Sequence, residues 1–329
     1  MLLAIMIAAL IASLVFDIAW GPARLTPFEV IRAIVDRDSV SATHGVIVWE
    51  LRLPIALMAV LVGASLGTAG AGMQTILNNP LADPYTLGIS AAASFGAALG
   101  IVLNIEIFPG SNALTVTTNA FIMAMLASLA IYGLSNLRGV TTETMILLGI
   151  CLMFVFSSLN GMLQYVASEE ALQQLVFWTM GSLQRTSWGK LGIIIVVLAV
   201  VVVYMARNAW KLTMLRMGDD RAQALGVNVS RLRLTILILV SLVTSVAVAF
   251  VGTIGFIGLV GPHIARMLVG EDQRYFLPTS AIGSALLLSL ASIASKTIIP
   301  GALVPIGIIT SLVGVPFFLS LILTRRNGA

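Results

Sequence analysis

Charge is what this sequence has least of. Of 329 residues only 10% are Asp, Glu, Lys or Arg, while 59% are apolar and the mean hydropathy is +1.04. Soluble domains carry about 25% charged residues, and no soluble fold of this length hides so much apolar surface, so the solvent is a bilayer. The single cysteine, Cys151, excludes an internal disulfide and a thiolate metal cage. The two histidines, His44 and His263, lie far apart, which argues against a metal site. Lysine is confined to Lys190, Lys211 and Lys296, and no basic cluster is interleaved with aromatics. The net charge of +4 is therefore a topological signal and not a nucleic-acid footprint. A G-x-x-x-x-G-K-[ST] loop is also missing. The one Gly-Lys pair, Gly189-Lys190, is followed by Leu191, so the chain does not bind ATP by that route.

What is present is a series of apolar runs near the roughly 20 residues a spanning helix needs. They predict an all-α integral membrane protein of ten transmembrane helices in one compact domain, 1–329. The spans fall at about 1–20, 53–75, 85–104, 114–135, 144–165, 188–206, 234–253, 256–270, 278–295 and 305–324. The first lacks a basic leader and ends at bulky Trp20, so it reads as a span and not as a cleaved signal. The glycine-rich run from Val248 to Gly270 fits one long helix or two with a tight turn; two make the charge count consistent. Both termini then share one side with eleven of the eighteen Lys/Arg, including six between Arg207 and Arg233. The positive-inside rule makes that side cytoplasmic. Small residues at Gly63 and Gly67, Ser65 and Ala69, and Gly96 and Gly100 mark faces on which helices approach closely in lipid.

The polar interval 207–233 is the most informative. Asp219 and Asp220 stand where a short helix begins, opposite its positive end. Gly218 precedes them, Arg221, Ala222 and Leu225 follow, and Gly226 is a stop. Such a knob on the basic side calls for a soluble partner. NNPLADP (78–84) is sufficiently explained as a turn between spans; its functional reading is a gate lip built on Asn79 and Leu81. Arg52, before Pro54, and the isolated Lys296 read singly as interfacial anchors, together as a basic ring on the outer side. Ser157, Ser158, Asn160 and Gln164 put more polarity in span five than lipid contact warrants. The following segment, Gln164 to Trp188, is either an aromatic-belt helix or a vestibule that includes Met180. GASLG (63–67) matches G-x-S-x-G but lies in a helical run, with only distant His263 as base, so an intramembrane hydrolase on Ser65 is disfavoured. His263 and Arg266, after Pro262, fit helix-end carbonyl contacts best.

Six ordered blocks, VWELRLP (48–54), GAGMQTILNNPLADPYTLGIS (70–90), FWTMGSLQRTSW (177–188), GDDRAQALGV (218–227), GFIGLVGPHIARMLVGEDQR (255–274) and PIGIITSLVGVPFFLSLIL (305–323), resemble the permease subunit of the FecCD family, the type II ABC importers of ferric siderophores, haem and cobalamin. The resemblance implies a bacterial inner-membrane subunit paired with a second permease, identical or paralogous, and served by a cytoplasmic ABC ATPase dimer. It also implies a periplasmic or lipid-anchored solute-binding protein. This chain then carries no cofactor, and ATP and Mg belong to the ATPase. By position, Gly218–Gly226 becomes the coupling element. Asn79 and Leu81, with Thr141 and Thr142, become the cytoplasmic gate, and Arg52 and Lys296 dock the binding protein. Ser157, Asn160, Gln164 and Met180 are the candidates for the path. Ile55 stands where the family often has a second arginine, which spreads docking toward Arg24 or Arg185. The competing reading is an ion-coupled secondary transporter, which requires acids or broken helices at the midplane; Asp17 and Glu143 fall near span ends.

Overall fold

Local signals set the helix starts. Thr26 forms a capping box with Glu29 at the head of α2 (Pro27–Val35). Side chains of Thr141, Ser168, Ser187, Asn228 and Asp272 accept from the first-turn amides of α7 (Thr142–Val166), α8 (Glu169–Thr179), α9 (Trp188–Arg207), α12 (Val229–Val251) and α14 (Gln273–Thr297). The remaining helices are α1 (Leu2–Ala19), α3 (Ala42–Val46), α4 (Leu53–Ile76), α5 (Ile89–Leu103), α6 (Thr115–Arg138), α10 (Ala209–Leu215), α11 (Asp219–Ala224), α13 (Ile257–Val269) and α15 (Ile306–Arg325). A π-helical turn, Ile47–Arg52, joins α3 to α4. This computed structural model describes all residues except 22–24, 38–39, 112–113, 139–140, 300 and 326–329, and not the side chains of 86, 136–138 and 320–325. Arg24 and Arg326, and the side chains of Arg138 and Arg325, lie outside it. No strand occurs among the described residues.

Seven described helices are long and apolar enough to cross a membrane: α1, the continuous Ala42–Ile76 helix, α6, α7, α9, α12 and α14. Three shorter apolar helices fall in α5, α13 and α15. Each of the ten expected apolar segments is thus helical. The glycine-rich run divides in two. Gly252, at φ +78° and ψ −165°, ends α12, and Phe256, at φ +68°, precedes α13. At 13 residues α13 is about 20 Å long, well short of the ~30 Å hydrocarbon core.

α4 lies at the centre, buried along most of its length and packed against α14, α12, α13 and α9. Its glycines make this possible. A Cβ on Gly63 would sit 2.6 Å from the Ser284 carbonyl, and one on Gly70 would strike the Gly258 carbonyl. Gly67 faces Ser280 and Ser284 one turn further on, so α4 and α14 run antiparallel. Gly96 and Gly100 seat α5 on α6 at Asn119 and Val116 in the same way. Lipid is as apolar as leucine, so these close backbone approaches, not hydrophobic exclusion, hold the bundle together.

The connection from α4 to α5 does not stay at the surface. The Tyr85 hydroxyl accepts from the Ile254 N–H at 2.8 Å. Both the Asp83 carboxylate and the Leu66 carbonyl border Gly258. Leu66 is about 15 Å along α4 from Ile76 by helix rise, so this strap climbs back into the bundle and ties Asn79 and Leu81 to the α12–α13 break.

Candidate coupling surface and translocation cleft

Gly218, at φ +106°, turns the chain into α11, and Gly226, at φ +82°, ends it. Ala222 and Val227 point inward, fixing the short helix to the bundle. Asp220, Arg221 and Gln223 are exposed, as is Leu225 at 58% of its surface; Met217 and Trp210 add apolar surface nearby. Leu225 and its neighbours thus form a small, exposed face of mixed apolar and charged character.

Asp219 connects that face to the centre. Its carboxylate accepts from Arg233 Nη2 at 3.0 and 3.1 Å, and Arg233 Nε donates to the Ile76 carbonyl at 2.8 Å. Arg233 is 2% exposed while Asp219 remains 46% exposed, so one guanidinium spans from surface to core. Two further arginines converge on the same turn of α4. Arg216 donates to the Gln74 carbonyl (3.2 Å) and Asn78 Oδ1 (2.8 Å), and Arg266 donates to Gln74 Oε1 (2.8 Å). Glu271, 45% exposed, pairs with both Arg216 and Arg266. Cations at a helix C-terminus meet its unpaired carbonyls and the negative end of its dipole. Beneath them Thr75 bonds Gln273 at 3.2 Å, and the Gln273 N–H donates to Thr213 of α10 at 3.1 Å. The neighbouring Arg274 guanidinium holds the Asp272 carboxyl below the usual aspartate range, through hydrogen bonds first and charge second.

Asn79 Oδ1 accepts from the Leu81 N–H at 2.9 Å, which makes a tight turn and leaves Leu81 exposed at its tip. Thr141 bonds Thr144 as the α7 cap, and Thr142 is half-buried in the first helical position. On α7, Ser157 and Gln164 are exposed, whereas Asn160 is buried, its Oδ1 without a hydrogen-bond partner among the described residues.

At the opposite end Arg52 and Lys296 both turn inward onto α1. Arg52 Nη1 donates to the Ile18 and Ala19 carbonyls at 2.9 and 3.1 Å. Lys296 Nζ donates to Asp17 Oδ1 at 2.8 Å and to the Asp17 carbonyl at 3.0 Å, with Ser292 completing the carboxylate at 3.0 Å. A Ser13–Ser289 bond one turn back continues the seam. Asp17 is 0% exposed. Neither cation offers a free head to the surface.

Non-helical backbone gathers in the middle. Ser182 N donates to the Val251 carbonyl (2.7 Å), Gly307 N to Met180 O (3.0 Å), and the Thr253 hydroxyl to Thr179 O. Beside them opens a cleft of about 510 Å³, lined by Tyr85, Met180, Thr253, Gly255, Ser311 and Leu312 among others. Broken helices at membrane depth are tolerated where they line such a cavity. Among the described residues the Ser65 hydroxyl has no hydrogen-bond partner, and His263 stands edge-on to Phe317. No group of three or more His, Cys, Asp or Glu able to hold a metal occurs among the described residues.

Sequence reasoning had singled out α11 and Met180 but missed Arg216, Arg233, Glu271, Asp17 and Tyr85 as a working set. Their one sequence signal is ionisable or phenolic groups at the ends of apolar runs, which says nothing of who meets whom.

Apolar helices around a broken-helix cleft, with an exposed short helix wired to the central span, define a membrane permease. The chain belongs to the FecCD transport family, whose profile matches residues 8–324. It is 37% identical over 281 residues to the hemin transport system permease protein HmuU of Yersinia pestis, covering 85% of this chain and 84% of that one. It is 32% identical over 327 residues to the vitamin B12 import system permease protein BtuC of Vibrio vulnificus, covering 99% and 95%. A solved ABC transporter chain of metal-chelate type, in an inward-facing conformation, superimposes with a TM-score of 0.86 at 28% identity over 98% of this chain and 99% of that one. This chain is accordingly a multi-pass permease subunit of an ABC importer. An ion-coupled mechanism finds no support in these relationships.

Proposed function

We propose that this subunit passes an iron-siderophore, or a haem- or cobalamin-like solute, inward across the bacterial inner membrane. In this reading ten helices cross, with both termini and α11 in the cytoplasm. A second permease chain completes the pathway, and a periplasmic or lipid-anchored binding protein delivers the solute. A cytoplasmic ABC ATPase dimer, which holds the ATP and Mg, grips the exposed face of α11.

The observation that carries this reading is the Asp219–Arg233–Ile76 chain of bonds. A soluble motor that moves α11 must also move the end of the central helix, because a buried guanidinium joins them. A motor shifts such an equilibrium only through different affinities for the two states. The strap from Asn79 to Tyr85 would carry that displacement onward to the α12–α13 break and the cleft at Met180. Leu81 would form the gate lip, facing Thr141 and Thr142 at the start of α7. Ser157 and Gln164 would line the path, and Asn160 would brace α7 from inside. Arg52 and Lys296 would serve docking indirectly, by fixing the outer ends of α4 and α14 on α1.

The test is uptake by proteoliposomes holding the permease, its ATPase and its binding protein. Leu225→Asp is expected to leave thermal stability unchanged, because the residue is exposed, and to cut coupled uptake at least tenfold while ATP hydrolysis persists. Uptake at the wild-type rate would overturn the coupling role of α11.

A further inference from the structure

A second cleft, also about 510 Å³, opens at the membrane surface opposite α11. Four helix ends meet there: Ile101 near the end of α5, Thr117 in the first turn of α6, Lys190 in the first turn of α9 and Ala249 near the end of α12. The amphipathic α8 closes it from above with Gln173, Gln174, Phe177 and Trp178. Both α6 and α9 pack on α12, and the cleft lies between their outer ends.

Its depth can be read from the aromatics. Trp188, two residues before Lys190, is exposed and packs on Trp49 with ring centroids 6.1 Å apart. Paired tryptophans at span ends mark the headgroup level. The cleft therefore has a polar, cationic rim at headgroup depth over an apolar floor.

The rim holds two adjacent cations. Lys190 Nζ donates to the Arg185 carbonyl at 2.6 Å and stands 5.8 Å from the Phe250 ring centre. A lysine that only snorkelled would move away from a neighbouring arginine into water. This one is held beside it. Among the described residues neither cation has an acidic partner within ion-pair distance, and Glu169 and Glu170, which open α8, form no bridge to them. Burial pulls the Arg185 guanidinium below its ordinary range. Two like charges brought together without a counter-ion are unfavourable until an anion joins them.

We propose that this cleft binds the phosphate of an anionic phospholipid, with Arg185 and Lys190 on the phosphate, Gln173 and Gln174 reaching the glycerol or headgroup hydroxyls, and the acyl chains running down the lipid side between α6 and α9. Arginine and lysine at an interface both favour phosphate. The same chemistry would accept free phosphate, but the apolar floor and membrane depth favour a lipid.

The full-length chain, purified in detergent, is incubated with equal amounts of phosphatidylglycerol and phosphatidylcholine, and bound lipid is read by native mass spectrometry. Preferential retention of phosphatidylglycerol is expected. It should fall at least tenfold in Arg185→Gln/Lys190→Gln and survive in Lys190→Arg. Should the double variant not fold, Thr117→Trp, which fills the cleft without touching its charge, is expected to lower retention as well. Equal retention of both lipids by the wild type would overturn the proposal. So would tight binding of inorganic phosphate that displaces the lipid, which would make this a free-anion site. Unchanged phosphatidylglycerol retention in the double variant, with loss of the binding protein instead, would make it a docking surface.

Discussion

Two helix ends in this protein are held by basic side chains, and they are built differently. At one, Arg52 and Lys296 close on the last turn of α1, and the single carboxylate, Asp17, is wholly enclosed. At the other, three arginines hold the last turn of α4, but their acids, Asp219 and Glu271, are nearly half exposed. The first arrangement exchanges nothing with its surroundings and suits an anchor. The second keeps one end of each pair at the surface and suits a joint. Enclosure raises the energy of every broken state, so an enclosed pair is stiff. An exposed carboxylate is hydrated as its pair opens, and Arg233 keeps its bond to the Ile76 carbonyl, so opening costs less than at the enclosed seam.

The contrast can be broken most sharply at Asp17. Asp17→Asn leaves the Lys296 ammonium enclosed without its counter-charge. The expected loss is about 3–5 kcal/mol, read as a lowered unfolding midpoint in detergent, with Lys296→Met in the same chain recovering much of it. A loss below about 1 kcal/mol would mean that the seam is not an anchor. A smaller stability effect is expected at the joint. Arg233→Met removes charged hydrogen bonds to Ile76 and Asp219, for about 1–3 kcal/mol, since Asp219 stays hydrated. Its signature would lie elsewhere: uptake should fall much more than stability does, while Asp17→Asn should lower both together. Smallest of all is the pH response beside the joint. The carboxyl of Asp272 is held low by Arg274, so its contribution is present above the ordinary aspartate range and fades as pH falls through the depressed value. Protection factors in the first turn of α14, that is, exchange corrected for its intrinsic pH dependence, should fall only under that acidic condition, and a fall near neutrality would contradict the assignment.

Much of the architecture was legible beforehand because lipid enforces it. Every backbone amide at membrane depth needs a partner, so long apolar runs become helices, and all ten expected segments did. The break between Val251 and Ile257 was foreshadowed by Gly252 and Gly255, and the α11 knob by Gly218, the paired aspartates and Gly226. The α4–α5 connection was less legible. NNPLADP reads as a turn, and the Asn79–Leu81 part is one, yet Tyr85 continues inward to Ile254. Nothing local announces a partner 169 residues away. Arg52 and Lys296 illustrate the same limit. Isolated cations at span ends look like surface anchors, and only the approach of α1 turned both inward.

Composition and periodicity alone determined that this chain lives in a bilayer, that its apolar segments form helices and where the polar interval around α11 interrupts them. Those are properties of single segments in a solvent that leaves the backbone no alternative. Only the tertiary structure decided which charge meets which helix end. An ion pair depends on a few ångströms between residues far apart in the chain, and those distances follow from how the helices pack, as where glycines along α4 admit α13 and α14.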